Sequence, residues 1–222
     1  MTNHRLDRIY RLMLDRFGPQ HWWPGETPLE VMVGAVLTQN TNWANVEKAI
    51  TNLKEGGILS LDALAGTPAP LLAEFIRPSG YYNIKAGRLL NLIRHITEQH
   101  GDLDRFFSLD TTSLREELLA CKGIGPETCD SILLYAAGRP VFVVDAYTHR
   151  MLLRHNLIWE EDGYYEMQEL FTANLTEETE LFNEYHALIV RLGKEFCRPR
   201  KPRCRECPLL GDLEENGLEI PE

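Results

Sequence analysis

The amino-acid sequence predicts an all-α fold. Apolar residues recur at helical spacing through most of the 222 residues, beginning with a first segment whose apolar face comprises Leu6, Ile9, Tyr10, Met13 and Leu14. The only strand-like run, residues 140–144, is too short and too isolated to form a sheet. The sequence contains neither an internal repeat nor a low-complexity linker.

The same periodicity places the helices in order. The first helix ends near Gly18-Pro19, because both residue types disfavour a helix interior. The second is predicted at Pro28–Leu37 and the third at Trp43–Leu53. Later helical segments are predicted near 61–64, 71–76, 84–100, 112–119, 128–136, 146–154, 164–175 and 183–194.

Composition and charge limit the class of protein. An apolar fraction of 44% and a charged fraction of 25% are ordinary for a soluble protein of one or two domains. No apolar run is long enough to span a membrane and the N-terminal segment lacks a secretory signal, so a cytoplasmic protein without membrane contact is expected. The net charge of −10 weighs against nucleic-acid binding, but basic residues cluster at 198–205 and only a contacting face must be positive.

A Gly-Ile-Gly turn precedes the helical segment that runs from Thr128 to Ala136. Gly123 and Gly125 can adopt backbone angles closed to other residues and let another backbone approach closely. Their position at a helix N-terminus suits a phosphate group, because exposed amides and the positive end of the helix dipole meet there. A lone turn of this kind is also typical of a plain helix–helix connection.

Asp145 is an isolated acidic residue between the apolar run 141–144 and the helical segment 146–154. A carboxylate beside such a run must be solvated, must cap a helix, or must be held for a function. Aspartate is a favoured N-cap, so capping is the structural alternative to a catalytic role. One carboxylate can serve both purposes.

Together these features resemble the helix-hairpin-helix, Gly/Pro-rich loop and aspartate signature of the endonuclease III (HhH-GPD) superfamily of DNA glycosylases. The residues that carry the resemblance are Leu118-x4-Gly123-Ile124-Gly125-x2-Thr128, Gly138-Arg139-Pro140 and Val143-Val144-Asp145. Similarity runs from about Glu26 to Leu210, which implies a two-lobed helical fold with the DNA site in the interlobe cleft. It also implies a six-helix middle domain at 27–136, with the hairpin at 114–136, and a second domain formed by 1–26 and 137–222.

The resemblance assigns roles to individual residues. Asp145 would act at the sugar of a flipped nucleotide, because rupture of an N-glycosidic bond builds oxocarbenium character at C1′ that a carboxylate can stabilise. The same carboxylate could instead activate water. DNA backbone contacts are implied for the hairpin residues and for Lys85, which is otherwise a solvated lysine; the full set is Lys85, Lys122, Gly123, Ile124, Gly125 and Thr128.

Glu127 occupies the position where bifunctional members of the superfamily carry a catalytic lysine. That lysine forms a Schiff base at C1′, and a glutamate cannot do so. Lys122 precedes the glycines and lies on the turn, so it is not expected to substitute. The departure favours a monofunctional glycosylase, with Glu127 either lining the base pocket or serving as a first-turn carboxylate favoured by the helix dipole.

The tryptophans and an amide pair complete the resemblance to the 3-methyladenine glycosylase III branch. Its motifs match His21-Trp22-Trp23-Pro24, the segment 37–43 and the Gly-Ile-Gly turn followed by Glu127. Aromatic faces commonly hold a flipped base, and alkylated purines that carry positive charge stack well on indole. The branch implies a base pocket of Trp22, Trp23 and Trp43, and a duplex wedge formed by Asn40 with Gln39. Without the family context, the tryptophans would be core or interlobe packing.

Three cysteines near the C-terminus, in the loop 197–207, keep part of an iron–sulfur pattern. Cys197-x6-Cys204-x2-Cys207 matches the superfamily spacing, but the fourth position is Leu213. A [4Fe–4S] cluster normally takes four cysteines, so Asp212, Glu214 or solvent would have to complete the set. Zinc and the absence of any metal are the alternatives. Cys121 and Cys129 are expected to be packed free thiols, and the basic residues of the loop would suit backbone phosphates in any case.

The sequence therefore predicts a monomeric base-excision repair enzyme that removes alkylated purines, chiefly 3-methyladenine, from damaged double-stranded DNA. One alternative is an endonuclease III-like glycosylase, with or without lyase activity, that acts on another damaged or mismatched base. A second alternative is a non-catalytic helix-hairpin-helix protein that only binds DNA. The preferred lesion depends on the volume and hydrogen-bond donors of the pocket, which sequence does not provide.

Overall fold

A computed structural model describes residues 2–22 and 25–221 of the chain. This part of the chain is α-helical and contains no strand, which confirms the predicted fold class. No helix in it is both long and apolar enough to cross a bilayer. The α-helices are α1 Thr2–Phe17, α2 Pro28–Leu37, α3 Trp43–Glu55, α4 Leu61–Gly66, α5 Ala69–Phe75, α6 Tyr82–Gln99, α7 Leu103–Phe107, α8 Thr111–Ala120, α9 Pro126–Ser131, α10 Ala146–Arg154, α11 Tyr164–Thr172, α12 Thr179–Glu195 and α13 Leu210–Glu215.

The chain divides into two compact units. The terminal unit comprises Met1–Trp22 and Pro140–Glu222, and the middle unit comprises Trp23–Arg139. The boundaries expected from the sequence are residues 27 and 136. The middle unit contains eight α-helices within the described residues, α2 to α9, whereas the sequence predicts six. One helix without a counterpart among the predicted segments is α7, a short segment with its own N-cap at Asp102.

Helix α2 forms the centre of the middle unit. Eight of its ten residues are buried, including Gly34 and the carboxylate-bearing Glu30. It packs against α3, α6, α9 and the π-helical turn Ile132–Ala136 that continues α9. Thr27 caps its N-terminus by accepting a hydrogen bond from the amide of Glu30. A helix that is buried on nearly all sides needs a nearly continuous apolar sequence, which explains the run at 29–37.

The core of the terminal unit is built around an aromatic cluster. Phe142 stacks on Phe171 with ring centroids 3.8 Å apart, and Phe182 and Tyr185 of α12 meet Phe142 edge-on. The strand-like run 140–144 is thus an extended core segment, and its carbonyl at Phe142 accepts a hydrogen bond from Gln168 at 2.7 Å. Burial of the run delivers the next residue, Asp145, to the edge of this core.

Candidate active site

Asp145 is the N-cap of α10. Its Oδ1 accepts hydrogen bonds from the amide of Thr148 at 2.8 Å and from the hydroxyl of the same residue at 2.9 Å. Thr148 is itself fully buried, so the carboxylate is held by a rigid partner. The capping alternative is therefore realised in the structure, and it orients Oδ1 inward while Oδ2 faces another group.

That other group is His186 of α12, which sequence reasoning missed. His186 Nε2 lies 3.5 Å from Asp145 Oδ2, and the exposed fractions of the two side chains are only 6% and 11%. Burial raises the pKa of the Asp145 carboxyl, but His186 and the hydrogen bonds from Thr148 outweigh burial and hold the pKa below its usual value. The carboxylate is consequently ionised at neutral pH.

The indole of Trp22 stacks on the imidazole of His186. Its ring centroid lies 5.7 Å from that of His186, with 21° between the ring planes. The terminal unit thus brings Trp22, His186 and Asp145 together in one row. Trp23 lies outside the described residues. Trp43 belongs to the middle unit, where its ring packs on Gly34 and its Nε1 donates to Glu47 at 2.9 Å.

The hairpin of the middle unit joins α8 to α9 through residues 121–125. Gly123 has φ of 104°, and a Cβ there would overlap the Arg88 side chain, so only glycine fits. Gly125 has φ of −97° and open space around it, so its backbone conformation does not require glycine. Arg115 of α8 donates to Asp130 of α9 at 2.9 Å, which holds the two helices together.

The two amide residues of the predicted wedge have different environments. Gln39 Nε2 donates to the carbonyl of Gly123 at 3.1 Å and to Thr128 Oγ1 at 3.0 Å. Its Oε1 accepts from Arg88, so both ends of the amide are bound to the hairpin side of the unit. Asn40 is exposed at a positive φ of 54°, at the tip of the α2–α3 turn. Only Asn40 is presented as a wedge would be.

The predicted backbone contacts differ in accessibility. Lys122 and Glu127 are exposed on the hairpin, whereas Ile124 and Thr128 are buried. Lys85 is 1% exposed, and its ammonium donates to the carbonyls of Leu37 at 2.8 Å and Ser79 at 2.6 Å. Burial lowers the pKa of Lys85 to about 8. The predicted phosphate contact of Lys85 does not agree with this geometry, because the side chain ties α6 to α2 instead.

Comparison with known proteins identifies the family. The HhH-GPD superfamily of base excision DNA repair proteins matches residues 33–177. The chain is 49% identical over 91% of its length to a Methanocaldococcus jannaschii protein, 92% of which is covered and which is provisionally named a DNA repair glycosylase. The chain belongs to the HhH-GPD superfamily. It is also 29% identical to endonuclease III of Thermotoga maritima, over 94% of the chain and 92% of that protein.

Two solved structures of HhH-GPD proteins cover nearly the whole chain. The H. pylori 3-methyladenine DNA glycosylase bound to 1,N6-ethenoadenine has a TM-score of 0.72 at 31% identity, covering 99% of both chains. A trapped endonuclease III–DNA covalent intermediate has a TM-score of 0.82 at 21% identity, covering 98% of this chain and 99% of that one. The second likeness, at its lower identity, establishes the HhH-GPD fold.

The cysteine loop of this HhH-GPD protein does not fit a four-cysteine cluster. Leu213, at the fourth ligand position, is packed in α13 with 3% of its surface exposed. Cys197 Sγ accepts a hydrogen bond from Arg154 at 3.1 Å, and burial raises the pKa of the Cys207 thiol to about 12. In the described part of the chain, the three sulfur atoms are not within 4.8 Å of one another, as ligands of a single zinc ion would be.

Asp212, one of the residues that could have completed the cluster, is bound elsewhere. Arg5 of α1 donates to both of its oxygens, at 2.9 and 2.7 Å, and His155 Nδ1 lies 2.5 Å from Oδ2. Burial raises the pKa of Asp212, but these contacts outweigh it and hold the pKa far below its usual value. Asp212 therefore joins α1 to the start of α13, and Glu214, the other candidate, is exposed. Cys121 and Cys129 are buried free thiols.

Proposed function

We propose that this HhH-GPD protein is a monofunctional DNA glycosylase that hydrolyses the N-glycosidic bond of alkylated purines of the 3-methyladenine type in duplex DNA. The observation that carries the proposal is the row of Asp145, His186 and Trp22 in the terminal unit. Through His186 it connects an ionised carboxylate with an aromatic ring, and excision of a flipped, charged base uses both kinds of group.

Asp145 supplies the electrostatic part of the reaction. Its lowered pKa keeps the carboxylate negative while positive charge develops at C1′ of the sugar. A carboxylate with a low pKa is a weak general base, because proton transfer is most efficient when the pKa lies near the working pH. We therefore favour stabilisation of the oxocarbenium ion over activation of water as the principal role of Asp145. Its rigid bonds to Thr148 allow that charge to act without reorganisation.

The alkylated purine is inferred from the aromatic ring of Trp22 and from the likeness to the H. pylori glycosylase. Methylation at a ring nitrogen gives the base a positive charge, and such a base gains cation–π stabilisation on indole. Trp22 stacks on His186, which in turn contacts Asp145. The H. pylori relative, at 31% identity, is a 3-methyladenine DNA glycosylase bound to 1,N6-ethenoadenine.

DNA binding is assigned to the exposed part of the hairpin and to Asn40. Lys122 and Gly125 are accessible on the turn that precedes α9. Asn40 would enter the duplex where the damaged nucleotide leaves the stack. Gln39 stabilises the hairpin, because its amide donates to Thr128 Oγ1 and accepts a hydrogen bond from Arg88.

Base release from methylated duplex DNA tests the proposal. The wild-type protein should release 3-methyladenine, and Asp145→Asn should be slower by roughly 100- to 1000-fold, the usual loss for one electrostatic group in a transition state. Asparagine is as good an N-cap as aspartate, so α10 should persist and binding of damaged duplex should remain. Asp110→Asn is the matched control, because Asp110 is an exposed N-cap aspartate of α8.

Three outcomes would redirect the proposal. Equal turnover by wild type and Asp145→Asn would contradict the role of the carboxylate. Release of an oxidised pyrimidine or a mispaired base, with no release of methylpurines, would favour the endonuclease III-like alternative. DNA binding without any base release, and without preference for damaged over undamaged duplex at one salt concentration, would favour the non-catalytic alternative.

A further inference from the structure

A second group of chemically active side chains lies in the middle unit, apart from the residues used above. His95 is on α6, His100 follows the end of that helix, and Glu117 is on α8. The Nε2 atoms of both histidines approach the same oxygen, Glu117 Oε2, at 2.9 Å from His95 and 2.6 Å from His100. Within the described residues this is the one trio of histidine, cysteine or acidic ligand atoms that all lie within 4.8 Å of one another.

The two imidazoles are held in position but remain accessible. Phe106 packs against both rings, with centroids 5.2 Å from His100 and 6.3 Å from His95. The exposed side-chain fractions are 26% for His95, 14% for His100 and 31% for Glu117. An ion could therefore reach the trio from solvent, and Phe106 restricts the rotation that would otherwise separate the nitrogens.

The charge of the trio also suits a cation. The trio offers one carboxylate oxygen and two imidazole nitrogens as ligand atoms. Imidazole and carboxylate are ligands of zinc and of neighbouring transition metals, and three protein ligands with one water form a frequent zinc coordination.

We propose that His95, His100 and Glu117 form a binding site for a divalent transition metal of the zinc class, with water as the fourth ligand. Tetrahedral coordination with metal–ligand distances of about 2.1 Å separates the ligand atoms by about 3.4 Å. The observed nitrogen–oxygen separations of 2.6 and 2.9 Å therefore need to open by about 0.5 to 0.8 Å. Rotation of the Glu117 side chain, the most exposed of the three, can provide that movement.

Metal binding at this site would link α6 to α8, the first helix of the hairpin. α6 already supports the hairpin, because Asn91 Nδ2 donates to the carbonyl of Lys122 at 3.0 Å. A bound ion would replace a hydrogen bond between histidine and carboxylate by metal–ligand bonds to the same elements. It would stabilise the folded chain in proportion to the free metal concentration, since the unfolded chain does not assemble the trio.

Titration of the full chain with Zn²⁺, followed by calorimetry and by the melting temperature, tests the proposal. Wild type should bind one equivalent that is lost or weakened in His95→Asn, His100→Asn and Glu117→Gln. The affinity for Zn²⁺ should fall at least about tenfold in each variant. Loss of a residue that only hydrogen-bonds to a ligand already lowers metal affinity by about that factor. His4→Asn removes an exposed histidine outside the trio and should bind like wild type. Glu117→Gln keeps the side-chain volume, so it tests the site even if a histidine variant does not fold.

Cobalt(II) distinguishes this site from the cysteine loop. Binding at the trio should give visible d–d absorption without the sulfur-to-cobalt charge-transfer band that thiolates produce. Unchanged Zn²⁺ binding in Glu117→Gln and His100→Asn, a thiolate band that accounts for all bound cobalt, or the absence of Zn²⁺ binding by wild type would each overturn the proposal.

Discussion

The imidazole of His186 lies between the indole of Trp22 and the carboxylate of Asp145. Its Nε2 is 3.5 Å from Asp145 Oδ2, and its ring stacks on Trp22 at 5.7 Å between centroids. Because Oδ1 is already bound by Thr148, His186 determines the environment of the second carboxylate oxygen. The histidine therefore influences both the charge of Asp145 and the position of the neighbouring aromatic face.

Replacement of His186 by glutamine should change the pH dependence of base release. His186 lowers the pKa of Asp145, so its loss should raise that pKa, and protonation of Asp145 should begin at higher pH. The acidic limb of the kcat/KM profile should accordingly move to higher pH, with a rate at neutral pH roughly ten- to a hundredfold lower because Trp22 and Asp145 lose their common support. The profile of His4→Asn provides the comparison. An unmoved acidic limb would contradict the contribution of His186.

The wedge prediction separates Asn40 from Gln39. Asn40→Gly should leave the turn unstrained, because glycine accepts its φ of 54°, but should reduce base release from duplex DNA. Release from single-stranded DNA, where no gap needs filling, should change little. Asn156→Gly is a matched control, since Asn156 is also exposed with a φ of 50°. Equal losses on both substrates would argue against a wedge.

Gln39→Ala should act through stability. Its amide donates to the Gly123 carbonyl and to Thr128 Oγ1, and loss of these partners should lower the free energy of unfolding by about 1–3 kcal/mol. Urea denaturation measures this change. A stability equal to that of wild type would contradict the supporting role of Gln39.

The two hairpin glycines should respond differently to alanine. Gly123→Ala places a Cβ at a φ of 104° and against Arg88, so it should destabilise the chain by about 1–3 kcal/mol or more and weaken DNA binding. Gly125→Ala has φ of −97° and open space, and should change stability by less than about 1 kcal/mol. Thermal unfolding of the pair gives the comparison. Equal destabilisation would show that the conformation of Gly123 is not the reason for its glycine.

Borohydride should trap no covalent complex between the wild-type chain and an abasic duplex. A Schiff base requires an amine, and Glu127 at the start of α9 provides none. Endonuclease III of Thermotoga maritima serves as a comparison under the same conditions. A trapped complex that disappears in Lys122→Gln would instead assign lyase activity to the exposed lysine of the turn.

Asp212→Asn should destabilise the terminal unit. Asp212 is fully buried and paired with Arg5 and His155, and removal of one member of a buried charge network costs roughly 3–5 kcal/mol. The pKa of Asp212 is lower in the folded than in the unfolded chain. The stabilisation that Asp212 provides is therefore fully present above the unfolded-state pKa, and it is lost as the pH falls from there through the folded-state pKa. The difference in unfolding free energy between wild type and Asp212→Asn should therefore shrink in acid.

Glu215→Gln is the matched control for Asp212. Glu215 pairs with Arg8 on the same two elements, but the side chains are 57% and 40% exposed, so the change should be below about 1 kcal/mol. A similar loss in both variants would contradict the buried network as the source of stability.

Local signals in the sequence predicted the helices and the capping residue well. Periodicity and the residues Gly18 and Pro28 act within one or two turns, so the limits of α1 and α2 could be derived from neighbouring residues. The short helix α4 was predicted near 61–64, whereas α7 was not predicted, because its five residues carry too little periodicity. Lys85 looked like a surface lysine in sequence, since burial of a side chain depends on the packing of distant helices.

The sequence by itself determined the all-α fold, the position of the Gly-Ile-Gly turn, the candidacy of Asp145 as an N-cap and the presence of Glu127 two positions after the turn, because each depends on residue identity within a few positions. Only the tertiary structure decided that His186 faces Asp145, that Gln39 binds the hairpin and that Asp212 pairs with Arg5. Those contacts join residues far apart in the chain. They form because helix packing buries polar groups together with the apolar faces, and a buried polar group without a hydrogen-bond partner costs free energy.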